Sequence, residues 1–202
     1  LKIVLKSTKS PIINGISLEG DVGVQMSNIA MRGSSGKSFG AVDFKSMSFM
    51  HQELNTRLII LQFGGNSIPH FKDSSGVRNY AYLFQKQIEY VQSAAPDAAI
   101  IIIGPSDMAQ YKEGIFSSYE FIPYCIQEMK RRSLKVGASY WDLYQAMGGK
   151  NSMFAWVENK LAGKDYVHFT TKGASMASQL FYDALISAYK EWEKKEKMTK
   201  QK

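Results

Sequence analysis

Two short apolar runs, Leu58-Ile59-Ile60-Leu61-Gln62-Phe63 and Ala98-Ala99-Ile100-Ile101-Ile102-Ile103, constrain this chain more than any other feature. Each has the length of one strand, is nearly continuous rather than alternating, and stops at glycine: Gly64-Gly65 after the first, Gly104-Pro105 after the second. A run of that kind suits a strand buried on both faces of a parallel sheet, and parallel strands need helical crossovers. Helical spacing is present where the crossovers must be: Tyr80, Phe84, Ile88 and Val91 between the two runs, stopped near Pro96, and Ile122, Ile126 and Met129 after the second, over 121–133.

The remaining segments extend the alternation. Residues 22–31 read as a strand that opens the α/β part and ends in Gly33-Ser34-Ser35-Gly36, and 136–141 as its last strand, with Asp142 at the end. Met47, Met50 and Leu54 fall at helical spacing, a stripe expected to be core packing. From Thr171 on, Ala177, Leu180, Phe181, Ala184, Leu185, Ala188 and Trp192 trace one face of a long helix, with Thr170 or Thr171 as its cap. The predicted architecture is α/β with a parallel sheet, and in such sheets ligands bind beyond the carboxyl ends of the strands. Before it, 1–6 and 12–19 are short β-type runs broken by Pro11 and Asn14-Gly15, the end of an antiparallel segment. The expected organisation is therefore an antiparallel β segment over 1–20, an α/β domain over 21–196 and a charged tail over 197–202.

Composition removes several function classes. The formal charge of +7 invites a nucleic-acid partner, but 190–202 alone holds six Lys and three Glu, so a solvated helix end carries +3 of it. Cys125 is the only cysteine, which excludes an internal disulfide and a cysteine-based metal cluster. The three histidines, His51, His70 and His168, lack carboxylates at ligand spacing, so no metal and no cofactor is expected. The longest apolar run is far too short to span a bilayer. No Gly-x-x-x-x-Gly-Lys-Ser/Thr pattern surrounds Gly36-Lys37 or Gly163-Lys164, which disfavours a flavodoxin-like nucleotide binder.

The chemistry concentrates in Asp165-Tyr166-Val167-His168, just ahead of the last helix. A carboxylate that orients an imidazole, so that the ring takes a proton from a hydroxyl, is two thirds of a hydrolytic triad. Asp107 and Asp142, also at strand ends, are rivals for the orienting role, and the three-residue spacing favours Asp165. Gly33 and Asn66 each offer an N–H donor where a strand ends, as an oxyanion requires. Ser34, Ser35, Ser67 and Ser106 are the hydroxyls at strand ends, each explained as turn chemistry.

In this order the residues resemble the SGNH hydrolases, or GDSL esterases, in which sequence blocks bring a Ser, a Gly, an Asn and a His around one ester. The second block matches at Gly33, the third at Gly64 and Asn66, and the fifth at Asp165 and His168. Ser67 follows Asn66 where the family usually has Asp, and the Gly-Asp-Ser block that carries the nucleophile occurs nowhere in the 202 residues. The resemblance implies a three-layer, flavodoxin-like fold and a serine esterase or acylhydrolase without cofactor. It assigns Asp165 and His168 to catalysis and Gly33 and Asn66 to the oxyanion hole. The Ser and the first strand would come from an upstream segment of the same protein, filling a slot between 22–31 and 58–63.

Some members carry a β-sandwich inserted between their first two blocks, so 1–20 resembles the end of such a module. By the same likeness the substrate would be a small-molecule or polysaccharide ester, such as an O-acetylated carbohydrate. A secreted, periplasmic or cell-surface location would follow. The alternative from another class is a carbohydrate-binding module that has lost its nucleophile.

Overall fold

The computed structural model describes residues 2–10, 12–13, 16, 18, 20, 22–112 and 114–200. The chain divides into two units, Leu1–Arg32 and Gly33–Lys202.

In the first unit the described residues form no helix and no strand. Of the expected β runs there, Leu1, Asn14, Gly15, Ser17 and Glu19 lie outside the described residues. The strand expected over 22–31 is absent, and Val22, Val24, Met26 and Ile29 are exposed. A strand holds only when a neighbour takes its N–H and C=O groups, and these residues show no such ladder. Residue alternation alone did not reveal that.

The second unit holds the α/β sandwich. Its parallel sheet has the order β1-β2-β5, with β1 Leu58–Gln62, β2 Ala99–Ile103 and β5 Ser139–Trp141. The register pairs Leu61 with Ile102 and Ile102 with Tyr140, so these side chains share one face, while Ile103 and Trp141 share the other.

The first face is covered by α2, Ser74–Ala94, and α3, Ile122–Lys135. Tyr80, Phe84, Ile88 and Val91 are all buried there, as are Ile122, Ile126 and Met129. Each such large side chain contributes about 1.5–3 kcal/mol by leaving water. On the second face, Trp141 meets Phe181 edge-on at 5.2 Å. Around Ile103 and Leu143 pack Met153 and Trp156 of α5, Ser152–Glu158, and the start of α6, Thr171–Lys200.

Three expectations need correction. The helix α1, Phe44–Glu53, forms as predicted, but it buries no residue, and Met50 and Leu54 are exposed. It leans on α2, with Phe44 edge-on to Tyr90. The long face predicted for α6 packs on the core at Ala177, Leu180 and Phe181, while Trp192 is 55% exposed. Finally, 58–63 is not buried on both faces. Leu58 and Ile60 are exposed because β1 ends the sheet and, among the described residues, pairs only with β2.

The sequence reading also passed over two features. Asp142 caps a short helix, α4, Leu143–Met147. A hairpin, β3 Ala109–Lys112 and β4 Ile115–Ser118, projects after β2.

Candidate active site

Asp165 and His168 are joined side chain to side chain. His168 Nδ1 lies 2.8 Å from Asp165 Oδ2, and the other carboxylate oxygen accepts the backbone N–H groups of Val167 at 3.0 Å and His168 at 3.1 Å. The three-residue spacing makes this possible, because one carboxylate reaches both the turn backbone and the ring that closes it. The turn is pinned from outside as well: Gly163 N–H donates to His168 O at 2.8 Å, and Ala162 bridges Phe169. Thr170 Oγ1 then accepts Gly173 N–H and caps α6.

Burial pushes the Asp165 carboxyl up. Hydrogen bonds from the His168 ring and from the His168 and Val167 amides outweigh it, so the group sits below the usual carboxylate range. An ionised Asp165 accepts from Nδ1–H, which leaves Nε2 as the basic nitrogen. The His168 side chain is 80% exposed, so that nitrogen is open to a reactant.

Tyr166 adopts φ +57°, a left-handed conformation unusual for an aromatic residue and costing roughly 1–3 kcal/mol. Its ring packs on Phe116 at 4.4 Å and meets Phe154 at 5.5 Å. Its carbonyl accepts Ala109 N–H at 3.0 Å, which ties the loop to the hairpin.

Gly33 and Asn66 lie together in a second part of the region, lining a cavity of about 420 Å³ with Ser35, His70, Phe71 and Tyr80. Gly33 has φ +69° and Gly64, which starts the turn carrying Asn66, has φ +114°; both conformations strain any other residue. Asn66 Nδ2 donates one hydrogen to Ser34 O at 3.0 Å. An amide nitrogen carries two, so the other remains for a ligand. Tyr80 Oη donates to Ser35 O at 2.9 Å, and burial holds its hydroxyl far above the usual range, so it stays a donor. Neither bond is visible in the sequence, since the partners are 32 and 45 residues apart.

The two parts approach through packing. Val167, between the dyad residues, packs on the cluster that contains Ile68, two residues beyond Asn66. The rivals of Asp165 are otherwise engaged: Asp142 accepts Gln145 N–H at the start of α4, and buried Asp107 accepts Met153 N–H at the start of α5. Ser34 Oγ accepts Gly36 N–H, in keeping with turn chemistry. His51 Nδ1 lies 3.2 Å from Thr56 Oγ1, away from these residues, and His70 is exposed on the cavity wall. Among the described residues no group of three or more His, Cys, Asp or Glu could hold a metal ion, and no helix is long and apolar enough to cross a membrane.

No protein-family model and no curated protein sequence matches the chain. Among solved structures, a peptidoglycan O-acetylesterase aligns over 79% of this chain with a TM-score of 0.67 and 22% identity. The chain shares the α/β fold of that enzyme. It spans only 45% of that enzyme's length. The periplasmic domain of a lipopolysaccharide acetyltransferase from Salmonella ser. Paratyphi A aligns at TM-score 0.49 and 14% identity, covering 70% of this chain and 61% of that one.

Proposed function

We propose that this chain is part of a serine esterase that removes an acyl group, an O-acetyl group of a carbohydrate in the first instance. The observation that carries the proposal is the 2.8 Å contact between Asp165 and His168, on an exposed ring whose Nε2 is free to act as a base. Fold likeness to a peptidoglycan O-acetylesterase supports the choice of an acetylated glycan, and with it a secreted, periplasmic or cell-surface location.

In this reading a Ser hydroxyl attacks the ester carbonyl while its proton passes to His168 Nε2. Asp165 holds the ring tautomer and stabilises the imidazolium. The carbonyl oxygen becomes an oxyanion, and the Gly33 N–H and the remaining Asn66 N–H donate to it. Collapse expels the alcohol, which takes the proton back from Nε2, and water repeats the sequence on the acyl-enzyme. No cofactor enters.

The Ser comes from an upstream segment of the same protein, whose strand pairs along the open edge of β1 and covers Leu58 and Ile60. Residues 1–20 are then the end of an inserted β module, 21–196 belong to the hydrolase domain and 197–202 to a charged tail.

The test is hydrolysis of 4-nitrophenyl acetate by the longer protein that includes this chain. His168→Ala is expected to abolish turnover, and His51→Ala, on α1, to leave it in place. Wild-type turnover in folded His168→Ala overturns the assignment. No hydrolysis by the longer protein of either the aryl ester or an acetylated glycan favours the non-catalytic binding module.

A further inference from the structure

The hairpin β3–β4 has no part in the chemistry above, yet it is fastened to the dyad loop. Its register sets Tyr111 directly opposite Phe116, and the two rings lie 4.9 Å apart on one face. Phe116 packs on Tyr166 with the ring planes tilted by 31°, and Tyr166 meets Phe154. Four aromatic rings therefore form one row that passes through the Asp165–His168 turn.

At its outer end the row is open to solvent: Tyr111 is 65% exposed and Phe116 43%. A short hairpin gains little by leaving two aromatic faces in water, and exposed apolar patches beside a candidate site mark ligand contact. The left-handed backbone at Tyr166 adds a second observation. Glycine would take that conformation with less strain, so the aromatic ring sits on a backbone that carries a penalty. With that ring in place, the row is continuous from the dyad to Tyr111.

We infer that Tyr111, Phe116 and Tyr166 form a stacking platform for a pyranose ring of a glycan, next to the sugar whose ester reaches His168. The apolar C–H face of a sugar ring packs on an aromatic face while its hydroxyls stay in water. That suits a row flanked by the hydroxyl of Ser118, which lies on the same face of the hairpin as Tyr111 and Phe116. A long acyl chain would call instead for an enclosed apolar channel, and this row is an open ledge. The inference rests on the carbohydrate-ester reading and names the part of the substrate that the dyad does not touch.

Binding, not hydrolysis, is the readout, so that failure here is distinct from failure of the esterase mechanism. The longer protein that includes this chain is titrated into the millimolar range with the tetrasaccharides of N-acetylglucosamine, of glucose and of xylose. Saturation-transfer NMR reports the bound sugar protons. At least one of these is expected to bind, Tyr111→Ala to weaken it about tenfold or more, and Tyr111→Phe, which keeps the ring, to bind within about twofold of wild type. Three outcomes overturn the platform: no tetrasaccharide bound by the wild type, equal binding by Tyr111→Ala, or a change in oligomeric state on Tyr111→Ala without sugar binding. The last would make the row a contact between protein chains.

Discussion

The dyad loop and the Gly33–Asn66 cavity are linked through the packing of Val167 on the cluster of Ile68, but they are built in different ways. All but one of the bonds described for the Asp165–His168 turn come from its own carboxylate and from residues a few positions away, the exception being the Ala109 N–H that donates to Tyr166 O. Gly33–Gly36 is held instead from a distance, by Asn66 through Ser34 O and by Tyr80 of α2 through Ser35 O. A locally built site fails when its own residues change. A site built by tertiary contacts can also fail through a residue that never meets the substrate.

The largest effect should come from Asp165→Asn in the longer enzyme. Asn keeps a carbonyl oxygen for the Val167 and His168 amides, so the turn should persist, but it sets an NH2 group where Nδ1–H had an acceptor. The ring then favours the other tautomer and loses its base at Nε2. A fall of about 10⁴-fold in kcat is expected, with only a small drop in the thermal melt. Asp165→Ala, which also removes the turn acceptor, should lose activity and lower the melting temperature. If both variants lose stability equally, the carboxylate serves the fold first and the comparison breaks.

Asn66→Ala comes next, at about 10²–10³ in kcat if the free N–H meets the oxyanion. Because the other N–H holds Ser34 O, the variant also tests the tertiary construction. Loss in kcat with KM and melting temperature unchanged assigns the effect to the transition state. A raised KM and a lower melt would assign it to the loop.

These differences explain what the sequence could reveal. Asp165 with His168, the strands at 58–63 and 98–103, and the buried faces of α2 and α3 were legible because each rests on spacing within a few turns of chain. The Ser34 and Ser35 anchors were not, because nothing near Tyr80 marks it as a partner for a carbonyl 45 residues away. The hairpin was no more legible, because Glu113-Gly114 is not one of the favoured two-residue turns and adjacent Ile115-Phe116 breaks the alternation. Whether an apolar run is covered depends on neighbours, so the exposure of Leu58, Ile60 and Trp192 could not be read from their types.

Tyr80→Phe sharpens the comparison further out. It removes the donor to Ser35 O but keeps the ring that packs between Phe71 and Phe84. The expected cost is about 1 kcal/mol or less in stability, with a several-fold loss in kcat/KM through a looser Gly33–Gly36 loop. An unchanged kcat/KM would show that Asn66 alone is enough to hold it.

The smallest effect concerns two carboxylates of this region whose pKa values move in opposite directions. Asp165 is held below its ordinary value of 3.8, so its contribution to stability is present above that value and is lost as pH falls through its folded-state pKa. Asp107 is raised from 3.8, chiefly by burial, against hydrogen bonds from Met153 and its neighbours. For Asp107 the folded state is favoured below pH 3.8, and stability declines as pH rises from there through its folded-state pKa. Asp165→Asn should therefore flatten the acid side of the melting curve against pH, while Asp107→Asn should remove a decline just above it. With more than half of its side chain in water, Asp165 should have the weaker influence of the two. Melting temperatures measured across pH 3 to 7 for wild type and both variants decide this, and equal slopes in all three would mean that neither carboxylate is coupled to folding.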